Sequence, residues 1–244
     1  MTAFTLLQAA GRSGEFFPSR ALPNLIWAAV WLAVLVCAAH AARRARGGPR
    51  APRLARYLRN QRLYHWGNSA VLAILAISGF LLFARRAPAT LPGLSWLSVH
   101  EWTGVLFAAG VAFHALAAVR QGESGSMRLR LADLREVVQV GRVFFFGGRT
   151  YPQPGKYEAL QKLYHAALAV LAVVFVATGA LMWAAISRWT TPPREWLEWS
   201  RLAHLLAAAA LAALVIGHLY FSLIRANREN LRDMLGCAPA GRDV

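Results

Sequence analysis

Two stretches of this chain pair histidines in the same way. Leu202–Ile224 reads LAHLLAAAALAALVIGHLYFSLI and carries His204 and His218; Ser98–Arg120 reads SVHEWTGVLFAAGVAFHALAAVR and carries His100 and His114. Both pairs are fourteen residues apart. On an α-helix, fourteen steps return the second imidazole to within roughly 40° of the first, about 21 Å further along the axis. That rise approaches the thickness of a bilayer's hydrocarbon core, so each helix holds one imidazole near each face. Imidazole inside a membrane is costly unless it is paired, hydrated or coordinating. Two helices that offer imidazoles at two matching depths therefore suit axial ligation of iron, in bis-histidine haem sites set in the apolar core of a helix bundle.

The elements that must position these residues are transmembrane helices. The chain has 244 residues, of which 57% are hydrophobic, and five apolar runs near span length. We assign spans to Leu22–Ala42, Leu63–Ala84, Ser98–Arg120, Leu163–Ser187 and Trp199–Ile224, an all-α integral membrane architecture. The net charge of +16 is concentrated in segments that flank the spans, which argues against a nucleic-acid partner and for a membrane surface. Of the 27 Lys and Arg, twenty fall in Arg43–Arg62, the loop 120–162 and the tail after Ile224. By the positive-inside rule the N-terminus is outside and the C-terminus cytoplasmic. The first span reads as a retained anchor: its leader is not basic and a strongly basic segment follows it. Cys37 and Cys237 are far apart and no CxxCH is present, so neither a disulfide nor covalent haem attachment is expected.

Spans two and four both begin with LYH, at 63–65 and 163–165, and in both a glycine follows the histidine by fourteen: His65 with Gly79, His165 with Gly179. The spans after them are the two helices with paired histidines. Residues 63–244 thus read as two copies of a helical hairpin forming a four-helix haem-binding bundle. Residues 1–62 supply an outer segment, an extra N-terminal transmembrane helix and a basic linker. The repeat puts His100 and His204 near the outer face. His65, His114, His165 and His218 lie near the cytoplasmic face. His40, on the first span, is expected to hydrogen-bond a neighbouring helix's carbonyl. Gly79, Gly104, Gly110, Gly179 and Gly217 could thin the helix walls beside a porphyrin or serve close helix packing. Arg62, Arg120 and Arg201 could meet haem propionates or simply anchor span ends. In the loop 121–162, LRLADLREVVQVGRVFFFGG reads as an amphipathic helix in the headgroup region.

The outer haem has two candidate ligands, His100 and His204; the inner has four for two positions, and strict pseudosymmetry would choose His114 with His218. The order RLYHW, VHEWTG, KYEALQK, LAHLLAAA and GHLY resembles the gamma subunit of membrane-bound formate dehydrogenases and related bacterial transmembrane cytochromes b, over roughly residues 56–236. This resemblance implies two haem b groups, with His65 and His218 on the inner iron, His100 and His204 on the outer, and His114 as the alternative inner ligand. It also implies a quinone site beside the inner haem, formed partly by Lys156–Lys162. The family pattern there is Asn-Ala-Gly-Gln, where this chain has Glu158-Ala159-Leu160-Gln161. Glu158, His114 and His165 are titratable groups at a depth suited to relaying protons to quinone.

The expected function is an electron-transfer subunit of a respiratory complex in the bacterial inner membrane. By resemblance it joins a periplasmic iron–sulfur subunit, attached to a molybdenum or tungsten dehydrogenase, to the quinone pool on the cytoplasmic side. A hydrogenase or another respiratory oxidoreductase could use the same anchor. A histidine-based metal or proton transporter is the rival class. Acidic residues within the spans would support it, and only Glu101, at a span edge, is present.

Overall fold

A computed structural model of the chain describes residues 21–44, 59–84, 94–120, 124–146, 157–224 and 228–236. The outer segment 1–20, most of the basic linker, Lys156 and Cys237 lie outside the described residues. Five helices are long and apolar enough to cross a membrane: α1 (Ala21–Arg44), α2 (Arg59–Ala84), α3 (Trp96–Arg120), α6 (Ala159–Ile186) and α7 (Arg194–Leu223). Shorter helices are α4 (Ser124–Met127), α5 (Leu131–Phe146) and α8 (Arg228–Met234). Helices α2, α6 and α7 begin four or five residues before the expected spans. Hydropathy registers only the part of a helix inside hydrocarbon, whereas the polar opening turns, such as Arg59–Arg62 and Arg194–Glu198, continue the same backbone ladder into the interface.

The packing follows the repeat. Helix α2 lies along α3 and α6 along α7, so each hairpin is a tightly packed pair, while the hairpins meet mainly where α3 approaches α6. Small residues permit the close α7 contacts: Ser200, Ala207 and Ala209 are buried on it. Large apolar side chains point outward instead, among them Ile77, Phe80, Leu106, Phe113, Val170 and Val173. That arrangement is stable only where hydrocarbon replaces water around the bundle.

Helix α1 is not a loose appendage. It runs along α7, where buried His40 places Nδ1 2.6 Å from the Tyr220 hydroxyl and its ring 5.5 Å from that of Phe221. The observed partner is a side-chain hydroxyl, where the sequence suggested a carbonyl. Helix α5 docks against α6 and α1, burying Val140 and Val143. Asp133 joins it to α6: its carboxylate takes the Lys162 ammonium at 2.9 Å and the backbone N–H of Arg130 at 2.6 Å. The Lys162 hydrogen bond, then that from Arg130, holds the Asp133 carboxyl below its ordinary value of 3.8. The other face of α5 exposes Leu131, Leu134 and Val138 beside Arg135 and Arg142, the expected interfacial pattern.

At the outer end, α6 stops in a Schellman turn. Trp189 N–H donates to Ala184 O at 2.9 Å and Arg188 N–H to Ala185 O at 3.2 Å, with Arg188 at φ 60°. The Trp183 and Trp189 rings, 4.8 Å apart, close the turn in place of the glycine that usually eases it. At the inner end, the Arg62 guanidinium donates to Asp233 O at 3.4 Å and the Trp66 indole to Met234 O at 3.2 Å. These bonds satisfy the last carbonyls of α8 and fasten it beneath α2. Arg62 is therefore turned to α8. Gly236 adopts φ 77° there, and a Cβ would come within 2.9 Å of Arg62 Nη1.

Candidate functional site

The hairpins face each other through imidazoles at two levels. At the outer level His100 of α3 and His204 of α7 have ring centroids 6.2 Å apart. At the inner level His65 of α2 and His218 of α7 are 6.1 Å apart. Two imidazoles bound end-on to one metal at about 2 Å, with roughly 1.2 Å from nitrogen to ring centre, would have centroids about 6.4 Å apart. Both separations match that value. Helix α7 contributes to both levels because its fourteen-residue spacing keeps both imidazoles on one face, while α2 and α3 supply one opposing ring each.

The outer rings are held by hydroxyls that the histidine spacing does not reveal. Ser78 of α2 donates its proton to Ile74 O at 2.7 Å, and its oxygen lies 2.9 Å from His100 Nδ1. Thr178 of α6 repeats this, donating to Val174 O at 2.6 Å with His204 Nδ1 at 2.8 Å. The next residue is a glycine each time. A Cβ on Gly79 would stand 3.1 Å from His100 Cε1, and one on Gly179 3.7 Å from His204 Cε1. These two glycines seat the imidazoles themselves. At Gly104, Gly110 and Gly217 a Cβ would meet nothing within 4 Å. Serine or threonine followed by glycine, repeated one hundred residues apart in apolar sequence, was the available signal. Phe175 packs edge-on against His204 at 5.0 Å, and Trp102 meets Trp183 at 6.3 Å across the hairpins. Glu101 follows His100; its Oε1 is enclosed and has no hydrogen bond among the described residues.

The inner level is built from aromatic stacking. Tyr164 lies almost parallel to His218, with centroids 5.4 Å apart and planes 19° from parallel. Tyr64 stacks on His114 at 4.5 Å and 14°. These are the tyrosines of the two LYH triplets, each covering the second histidine of the following helix. His114 stacks on Tyr64 as His218 does on Tyr164, and the ring facing His218 is that of His65. Exposed His165 sits within the electrostatic reach of His114, His218 and His65, so four imidazoles gather at this end.

Glu158 and Gln161 have a structural task. They form a capping box at the start of α6, in which Glu158 N–H donates to Gln161 Oε1 at 3.2 Å. Glu158 is buried there, and Lys162 turns to Asp133. Among the described residues no cluster of three or more His, Cys, Asp or Glu side chains could hold a bare metal ion. Paired axial imidazoles suit a metal whose equatorial plane is already filled, as a porphyrin fills it.

A membrane-embedded helical core with facing imidazoles at two depths defines a transmembrane cytochrome of the b type. Residues 56–236 match the family described as prokaryotic cytochrome b561, and the chain belongs to that family. It is accordingly a multi-pass protein of the bacterial inner membrane, a haem b-binding membrane cytochrome of electron transfer. The matched region begins after α1, so the extra first helix lies outside the family core. A search of curated proteins found no match to the chain.

Proposed function

We propose that this chain binds two haem b groups and carries electrons between a periplasmic redox partner and the quinone pool at the cytoplasmic face. The observation that carries this reading is the pair of imidazole–imidazole separations, 6.2 Å and 6.1 Å, at two depths of one bundle. Haem b, when bound, supplies a one-electron iron couple. His100 and His204 hold the outer group, His65 and His218 the inner. His114 and His165, beside the inner pair, are the side chains available to hand protons to a reduced quinone. Glu158 and Gln161 shape the same end by capping α6. On the outer side, the partner is an iron–sulfur subunit with its catalytic subunit, of the formate dehydrogenase type that the sequence resembles. A hydrogenase module is the alternative.

The first test is a dithionite-reduced minus oxidised spectrum of the purified chain, with haem counted per polypeptide. Two low-spin b-type haems are expected; folded protein without haem, made under adequate haem supply, overturns the reading. The direction of transfer is tested in oriented proteoliposomes. An impermeant reductant outside should reduce quinone with proton uptake from the lumen that faces the former cytoplasmic side.

A further inference from the structure

The hydroxyl contacts at the outer level fix more than ring orientation. Each hydroxyl has one proton, and in both Ser78 and Thr178 it is engaged by a helix carbonyl, at 2.7 and 2.6 Å. With its proton on the carbonyl, the oxygen facing the imidazole accepts. His100 Nδ1 and His204 Nδ1 are then the donors, which leaves a lone pair on each Nε2. Ser78 is completely buried, so no solvent competes for the bond. The arrangement occurs twice, on α2 and α6, from residues one hundred apart. At the inner level His65 meets the edge of Trp66 and His218 the face of Tyr164; among the described residues neither ring has a side-chain hydrogen bond.

We propose that Ser78 and Thr178 are positioning residues that hold His100 and His204 in the ligating tautomer and lower the reduction potential of the outer haem. The proposal rests on the haem reading of the same site. An Nδ1–H that donates gives its imidazole partial imidazolate character, and the more basic Nε2 stabilises the oxidised iron more than the reduced one. Because among the described residues the inner pair has no such hydroxyl, the effect falls on one haem. It biases the shared electron toward the inner site and so toward the quinone side. Gly79 is part of the same device, since a Cβ there would stand 3.1 Å from His100 Cε1, whereas at Gly179 a Cβ would make an ordinary 3.7 Å contact with His204.

The test is a spectroelectrochemical titration of the purified full-length chain, its Ser78→Ala and Thr178→Val variants and the double variant. The outer haem is identified as the component missing from His100→Ala. Each single variant should keep two haems and favour reduced over oxidised outer iron by about three- to tenfold more than the parent, where tenfold is about 59 mV for one electron. The double variant should shift further, with the inner potential unmoved. Ser78→Thr and Thr178→Ser, which keep the hydroxyl, should restore the parental value. Two haems with unchanged potentials in the double variant overturn the proposal while leaving the haem reading intact. If Ser78→Ala loses the outer haem, retention at the parental potential in Ser78→Thr supports the hydroxyl's role, and loss in both variants overturns it. Absence of haem from the parent chain overturns the underlying reading instead.

Discussion

The outer and inner ends of the four-helix core use the same side chain in different surroundings. At the outer end each imidazole is clasped: a hydroxyl stands at hydrogen-bond distance from its Nδ1 and a glycine of the neighbouring helix lies beside its Cε1. The rings there have little freedom to rotate or change tautomer. At the inner end two imidazoles face each other, two more lie beside them, and tyrosines cover His114 and His218 by stacking, which constrains a ring's plane but not its protonation. In the proposed function the contrast separates two tasks. A site that only relays electrons gains from fixed, proton-free geometry. An end that also serves quinone needs groups that can take up and release protons.

The largest expected effect comes from the imidazoles. His100→Ala or His204→Ala should remove the outer haem and leave the inner one; His65→Ala or His218→Ala should do the reverse, read as haem per polypeptide. Retention of both haems in His65→Ala with loss of one in His114→Ala would instead assign the inner pair by strict symmetry. Gly79→Ala comes next. Its methyl would meet His100 Cε1 at 3.1 Å, and the outer haem should be held about tenfold more weakly, by competition with apomyoglobin. Gly179→Ala, at an ordinary 3.7 Å, should leave it nearly unchanged. At the inner end, Tyr164→Leu removes the stack on His218 and should weaken only the inner haem, by about 1 kcal/mol.

The smallest effects lie outside both sites. Tyr220→Phe deletes the 2.6 Å bond to His40 and should lower stability by about 1 kcal/mol, measured by thermal unfolding in detergent, with both haems retained. Docking of α5 through Asp133 should be pH-dependent. Its carboxyl is held below the ordinary value of 3.8 by the Lys162 bond and the Arg130 N–H. The folded state therefore favours the ionised form. Its stabilisation is fully present above the ordinary carboxylate range and lost as pH falls through the lowered value. Amide exchange of α5, corrected for its intrinsic pH dependence, should rise only in that acid range, whereas Asp133→Asn should raise it already at neutral pH.

The sequence by itself determined the membrane architecture and the two depths and carries the expected orientation, because all three are read from one-dimensional quantities. Span length, the placement of Lys and Arg, and a fourteen-residue spacing on a 3.6-residue helix need no knowledge of neighbours. The internal repeat was legible for the same reason, down to Gly79 and Gly179. What those glycines touch was not, since either a porphyrin or a helix could have lain against them. Only the tertiary structure decided that they seat His100 and His204. It alone brought Ser78 and Thr178 to Nδ1, because a contact between residues on different helices depends on how each helix is rotated about its axis. The same limit applied at the inner end. Spacing put four histidines at one depth, and only the rotation of α2 against α7 set His65 opposite His218, while α3 turned His114 to Tyr64.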